Sequence, residues 1–309
     1  MRQRVCLAGA TGYLGTRLSA QLRAGGFPLT AIVRSGGRGA PLNHLLELGA
    51  DLAFVDAARH EPYAAAMTGV GTAISCMASR NVATDAHSDF WAIDRDANIR
   101  FGRAAIDAGA RQLMLVATFE GQASRTCTAF SDAKEQAVDA LTMACAAAGV
   151  AFIVIRPTAY FSDLTDRAFL AVASAHRYVE IGDGATRINP VDGDDVAAFM
   201  VARAAEPGTA SRQYPLGGPD TFTFREIGEL AAEVLQCRRD FRVAAIPLAL
   251  LEAGARLAAA GGVVSRPLRR WAALLRWMIY AGTHDAVAPN CGRRTLRDHY
   301  RAKVTTLQF

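Results

Sequence analysis

The residues best suited to chemistry lie near the amino terminus, in the run Gly9-Ala10-Thr11-Gly12-Tyr13-Leu14-Gly15. It directly follows an apolar segment and opens an amphipathic one. Glycines at this spacing suit a pyrophosphate. Gly9 permits a tight turn, Gly12 lets the backbone approach the ligand, and Gly15 allows a helix to pack closely on the preceding strand. The helix start adds N–H donors and the positive end of its dipole. This is the pattern of a dinucleotide-binding loop, with Thr11, Tyr13 and Leu14 expected to complete the contact. Arg34 ends the second apolar run, where an NAD-binding protein of this kind carries an acid for the ribose hydroxyls. A guanidinium there, with Ser35 and Arg38 nearby, favours a ribose phosphate and hence NADP(H). Asp56 ends the third run and suits either the adenine rim or a plain turn. The chain has only two lysines, Lys134 and Lys303, among 34 basic residues. Lys134 therefore invites a chemical explanation, although Glu135 and Asp139 beside it also fit an exposed helical face.

The elements that must position these residues alternate. Short apolar runs at 5–10, 29–33, 52–55, 73–77, 113–117 and 152–155 are separated by helical patterns that include 13–24, 40–48, 90–108 and 132–148. Apolar strands of this length suit a parallel sheet buried on both faces. We expect an α/β fold, a doubly wound Rossmann sheet over 1–158, and a smaller helix-rich substrate lobe over 159–309 that partly returns to the core near 188–205. Within that lobe a helix is expected at 164–176, a strand pair around 178–190 and a helix at 194–205. Ligands of such sheets bind at the carboxyl ends of the strands, where the lobe would act as a lid.

Composition narrows the function. With 51% hydrophobic and 20% charged residues, the 309-residue chain is globular, and its net charge of +5 is too small and too dispersed for a nucleic-acid protein. The cysteines at 6, 76, 127, 145, 237 and 291 lack metal-ligand spacing, so no metal is expected. No leader pattern precedes Val5 and no apolar run approaches a membrane span, which leads us to expect a cytoplasmic protein, monomer or homodimer. The segment 267–280 carries Leu268, Trp271, Leu274, Leu275, Met278 and Ile279 at helical spacing, with Arg266, Arg269, Arg270 and Arg276 close by. Three readings stay open: a packed or dimer-contact helix, a peripheral membrane contact, or a cover over an apolar pocket.

A wider set of residues resembles a known family. Gly9 to Gly15, Arg34, Asp56, Ser75-Cys76-Met77-Ala78, Asn98, Arg156-Pro157-Thr158, and the return Arg187-Ile188-Asn189-Pro190-Val191 with Asp194-Asp195-Val196-Ala197 are similar to atypical short-chain dehydrogenases/reductases. Within that superfamily the chain looks like NmrA-like and isoflavone-reductase-like proteins, vinyl-reductase-like enzymes and the Rossmann accessory subunit of respiratory complex I. The resemblance implies that Cys76, Met77, Pro157 and Thr158 line the cofactor. It also implies a Ser/Thr at Thr118 and a Tyr-x-x-x-Lys pair, but the segment is Phe130-Ser131-Asp132-Ala133-Lys134: the lysine is present and the phenol is not. Lys134 would bond the nicotinamide ribose. Tyr160 is the substitute acid, competing with an aromatic-filler role, and His87 and Asp132 are weaker alternatives. Reduction of a polarised C=C bond tolerates the missing phenol better than carbonyl reduction, because its proton arrives at a separate carbon. The expected function is NADPH-dependent reduction of a hydrophobic small molecule at a conjugated C=C or a ketone. The alternative is a non-catalytic NADP(H)-binding redox sensor or assembly subunit.

Overall fold

The computed structural model describes residues 2–34, 39–79, 90–206, 208, 210–262 and 265–306. The chain begins β1 (Arg4–Ala8), α1 (Tyr13–Ala24), β2 (Leu29–Val33), α2 (Ala40–Glu47), β3 (Asp51–Phe54) and β4 (Val70–Ser75). A π-helical stretch, Trp91–Ala97, then runs directly into α3 (Asn98–Asp107). There follow β5 (Gln112–Val116), α4 (Gly121–Ser124), α5 (Ala129–Ala148) and β6 (Ala151–Pro157). Beyond these come α6 (Asp166–Ala175), β7 (Arg177–Ile181), β8 (Arg187–Ile188), α7 (Gly193–Ala205) and β9 (Arg212–Leu216). The described chain closes with β10 (Phe222–Thr223), α8 (Phe224–Val234), β11 (Arg242–Ile246), α9 (Leu248–Gly261), α10 (Arg266–Thr283) and α11 (Leu296–Thr306).

Seven strands form one parallel sheet in the order β3-β2-β1-β4-β5-β6-β9. The chain order reverses beside β1, so the crevice at the carboxyl ends of β1 and β4 is the topological switch point where such sheets bind ligands. Phe101, Leu141 and Cys145 of α3 and α5 cover one face together with Leu113 and Val154. Leu14, Leu18 and Leu22 of α1 cover the other with Val196 and Met200 of α7. This double cover explains why β2 and β6 are buried at every residue.

The periodicity places the six expected strands and locates α1 to the residue. It does not show β9. That strand reads Arg-Gln-Tyr-Pro-Leu and is largely exposed, and its proline, which cannot donate to a ladder, is tolerated because β9 is an edge. A second expectation is corrected: the strands at 178–190 do not pair with each other. β7 lies parallel to β11, and the two-residue β8 pairs antiparallel with β10. Alternation along a strand reports which face is buried, whereas the partner is chosen by where later segments return. The C-terminal helix closes this lobe: Tyr300 is buried against Phe169, and its hydroxyl donates to the Thr165 carbonyl at 2.6 Å.

Candidate functional site

The glycine loop is pressed against the end of β4. Gly9 has φ +79°, and a Cβ there would come within 2.7 Å of the Cys76 carbonyl group. The Gly12 N–H donates to the Gly9 carbonyl at 3.0 Å, and a Cβ on Gly15 would collide with that same oxygen. Gly12 differs, since a Cβ there meets only the Gly9 oxygen, at 3.3 Å. Thr11 and Gly12 are exposed. The loop is thus a tight turn with one open side at a helix start, and it fits a pyrophosphate. Leu14 buries its side chain in the core, which leaves only its backbone to serve a ligand. The Tyr13 ring lies under the Arg17 guanidinium at 3.9 Å, and its hydroxyl accepts from the Gly193 N–H at 3.3 Å, joining α1 to α7.

Arg34 is exposed directly after β2. Ser35, Arg38 and His87 lie outside the described residues. The Asp56 carboxylate accepts from the Arg59 N–H at 3.3 Å and lies 3.5 Å from its guanidinium, an arrangement that caps the short turn Ala57–Arg59.

Lys134 is 3% exposed, so it does not lie on a solvated helical face. Its ammonium donates to the Met77 carbonyl and pairs with Asp94 Oδ1 at 3.2 Å. Asp94 is fully buried in the π-helical stretch, and its carboxylate also accepts from the Ser79 N–H, at 3.2 Å, and the Ser79 hydroxyl. The Asn98 amide donates to the carbonyls of Ile93 and Asp94 at 3.1 and 3.0 Å, and the Ser75 hydroxyl donates to its Oδ1. Thus the widened helical turn, whose register leaves carbonyls to be satisfied, is tied to the end of β4.

Glu135, next in the chain, points elsewhere. Buried completely, it takes a bidentate pair of bonds from Arg156, both 2.8 Å, and accepts from the Thr118 hydroxyl at 3.3 Å. Arg156 also donates to the Thr118 carbonyl at 2.6 Å and to Gln213 at 2.8 Å. Consecutive residues of α5 therefore anchor it to β4 on one side and to β5, β6 and β9 on the other. Thr118, expected beside Lys134, has its hydroxyl bound to this second network.

Tyr160 stands between the two chemistries. Its ring packs edge-on against Tyr13 at 5.3 Å, and among the described residues its enclosed hydroxyl has no hydrogen-bond partner. Burial raises this phenol well above its ordinary range, and the neighbouring Cys76 and Asp163 add to the effect. The Cys76 thiol is pushed up to about 12 by burial, against the opposing pull of Lys134. Cys76, next to Met77 whose carbonyl holds Lys134, thus feels the charge of Lys134 and in turn acts on Tyr160. Phe130 packs edge-on against Phe90 at 5.8 Å, and Asp132 pairs with Arg125 at 2.8 Å. Pro157 ends β6, and Thr158 donates to the Asn189 carbonyl at 2.7 Å, tying β6 to the return segment. Asp94, Ser79 and Glu135 are the polar residues that sequence reasoning missed as contributors. The only available signal was that Asp94 and Asn98 fall four apart, on one helical face.

The C-terminal helices reach this edge. The Tyr280 hydroxyl of α10 donates to Glu120 at 2.7 Å, two residues past Thr118. On the outer side of the α9 and α10 pair, Leu257 is 76% and Trp271 58% exposed. Among the described residues, no helix is long and apolar enough to cross a membrane.

The family model for NAD(P)H-binding proteins matches residues 9–207, which include the glycine loop, Lys134 and the return segment. The chain belongs to the NAD(P)H-binding family. Among curated relatives, the divinyl chlorophyllide a 8-vinyl-reductase of rice (Oryza sativa subsp. indica) is 30% identical over 262 residues, covering 81% of this chain and 62% of the rice protein. Its Arabidopsis thaliana counterpart is 28% identical, over 80% of this chain and 61% of its own length. The chain therefore spans less than two thirds of these relatives. Among solved structures, AtPrR2 with NADP+ and (+)pinoresinol has the same fold, with a TM-score of 0.73 at 15% identity and coverage of 98% of this chain and 99% of that one. The NADPH-dependent quinone oxidoreductase QOR2 of Escherichia coli, complexed with NADPH, gives a TM-score of 0.68 at 19% identity, covering 97% and 99%. The family and relatives agree with the resemblance to atypical short-chain dehydrogenases/reductases seen in the sequence.

Proposed function

We propose that the protein is an NADPH-dependent reductase of a hydrophobic small molecule carrying a conjugated C=C bond. The observation that carries this reading is Lys134, buried and fixed beside the glycine loop in a site with Phe130 where a phenol would otherwise stand. Bound NADPH would supply the hydride. The chain's own residues do the remaining work. The open side of Gly12 admits the pyrophosphate, Arg34 takes the ribose phosphate, and Lys134 holds the nicotinamide ribose and adds positive charge. Cys76, Met77, Pro157 and Thr158 would wall the nicotinamide end. The Tyr160 phenol, raised by burial, stays protonated at neutral pH and is the enclosed proton source. A C=C substrate suits this set because its second hydrogen can come from Tyr160 or from solvent at a separate carbon. The vinyl reductases among the relatives, as their name states, act on such a bond. Residues 159–309 form the substrate lobe, and the Tyr280–Glu120 bond draws α10 over the carboxyl edge as a cover for an apolar ligand.

The test is NADPH oxidation against a panel of enones, vinyl-substituted conjugated rings and quinones, with deuterated cofactor. Stereospecific transfer to at least one C=C substrate is expected, and Lys134→Met should lower kcat by about 100-fold or more, as loss of an electrostatic group in a dry site does. Wild-type protein that binds NADPH but oxidises none of the panel would instead mark a redox sensor or assembly subunit, a reading that Phe130 favours. Turnover unchanged by Lys134→Met would remove the lysine from the mechanism.

A further inference from the structure

Lys134 is the residue on which the proposed chemistry depends, and a buried ammonium on a long flexible stem needs something to fix it. An ammonium has three N–H donors. One goes to the Met77 carbonyl and one to Asp94, which leaves a single donor for a ligand. Asp94 in turn is held from three directions. Its carboxylate takes both the N–H and the hydroxyl of Ser79, and its own carbonyl accepts from Asn98, whose Oδ1 is bound by Ser75 at the end of β4. Asp94 also lies in the π-helical stretch, where the extra residue per turn alters which side chain faces the sheet. A carboxylate this deeply buried is costly to keep unless its charge is used. Nothing else in the described structure carries a positive charge within ion-pair distance of Asp94.

We propose that Asp94 is a positioning residue: it sets where the Lys134 ammonium stands and directs its remaining donor at the nicotinamide ribose. The assignment rests on the dinucleotide-binding reading of Lys134 given above. Asp94 acts through the lysine and itself touches neither cofactor nor substrate. Ser79 is the brace that keeps its carboxylate in place.

The experiment compares two ligands of the full-length protein by fluorescence titration. NADPH contains the nicotinamide ribose, and adenosine 2′,5′-bisphosphate contains only the adenosine end. Asp94→Asn keeps the size of the side chain and removes its charge. It should weaken NADPH by about fivefold or more and leave the bisphosphate within about twofold, because only a charge-assisted contact at the far end is lost. Lys134→Met should show the same split, and the double variant should be no weaker than Lys134→Met alone, since the two residues form one unit. An equal loss of both ligands in an Asp94→Asn variant that keeps its fold would overturn the proposal. Should Asp94→Asn fail to fold, Ser79→Ala removes only the brace and should show the same split at about twofold. NADPH affinity that Asp94→Asn leaves intact while Lys134→Met weakens it overturns the role of Asp94 alone. NADPH affinity that Lys134→Met also leaves intact overturns the underlying reading of the lysine.

Discussion

The two ends of the proposed dinucleotide site are built differently. The phosphate end is backbone: a tight exposed turn at the start of α1, with Gly12 open on one side and Arg34 standing in solvent. The proposed nicotinamide end is side chain: the buried Lys134–Asp94 pair, with Cys76 and Tyr160 contributed by other elements. Backbone N–H groups at a helix start bind a phosphate whatever side chains surround them. A buried charge, by contrast, is tolerated only with its partner in place, and breaking such a pair costs about 3–5 kcal/mol. On the proposed reading affinity is carried by the first end and chemistry by the second, so the two should be alterable separately.

The largest effect should come at the phosphate end. Gly12→Val places a branched side chain on the open side of the loop and should lower NADPH affinity by more than about 100-fold. The backbone at Gly12 has φ −83°, which valine adopts, so thermal unfolding should stay close to wild type. Undiminished NADPH binding in that variant, measured by calorimetry, would break the division between the two ends at its base.

Arg34→Ala comes next and separates the two dinucleotides. A charge-assisted contact to phosphate contributes about 1.5–3 kcal/mol, or roughly one to two decades of affinity. The loss should fall on NADPH and spare NADH. Equal losses for both would make Arg34 a general contact and leave the cofactor preference without its basis.

The smallest effect is expected at the nicotinamide end, from Phe130→Tyr. The change restores the Tyr-x-x-x-Lys spacing, but Thr118, the residue such a phenol would work beside, already donates to Glu135. Reduction of a simple ketone should therefore rise by less than about tenfold, below the usual contribution of a positioned acid. A gain of about 100-fold or more would show that Thr118 leaves Glu135 when a phenol is present, and would join the two networks on α5 into one.

Much of the first end is legible in the linear chain because its parts are local. The glycine loop is seven residues long and Arg34 closes the next strand, so spacing alone brings them to one crevice. Asp56 reads from the sequence as an adenine-rim or a turn residue, and its side chain caps a neighbouring turn in the structure. The second end is scarcely legible. Glu135 and Asp139 leave a solvated face open as the alternative to a functional Lys134, yet Glu135 is buried on Arg156, Asp139 pairs with Arg125, and Lys134 reaches Asp94 on a different element. The strand that completes the sheet was invisible for a related reason: an edge strand with a proline has no periodic apolar signal to read.

The sequence by itself determined the parallel α/β sheet, the dinucleotide loop and the rarity of lysine that singled out residue 134. These follow from periodicity, from glycine's freedom at Gly9 and from composition, all of which act over a few residues at a time. Tertiary structure alone decided that Lys134 is buried, that Asp94 faces it, that Thr118 belongs to the Glu135–Arg156 network and that Tyr280 bonds the loop after β5. Each of those depends on the desolvation of a charged or polar group, and whether a side chain must find a partner out of water is set by what packs around it, not by its neighbours in the chain.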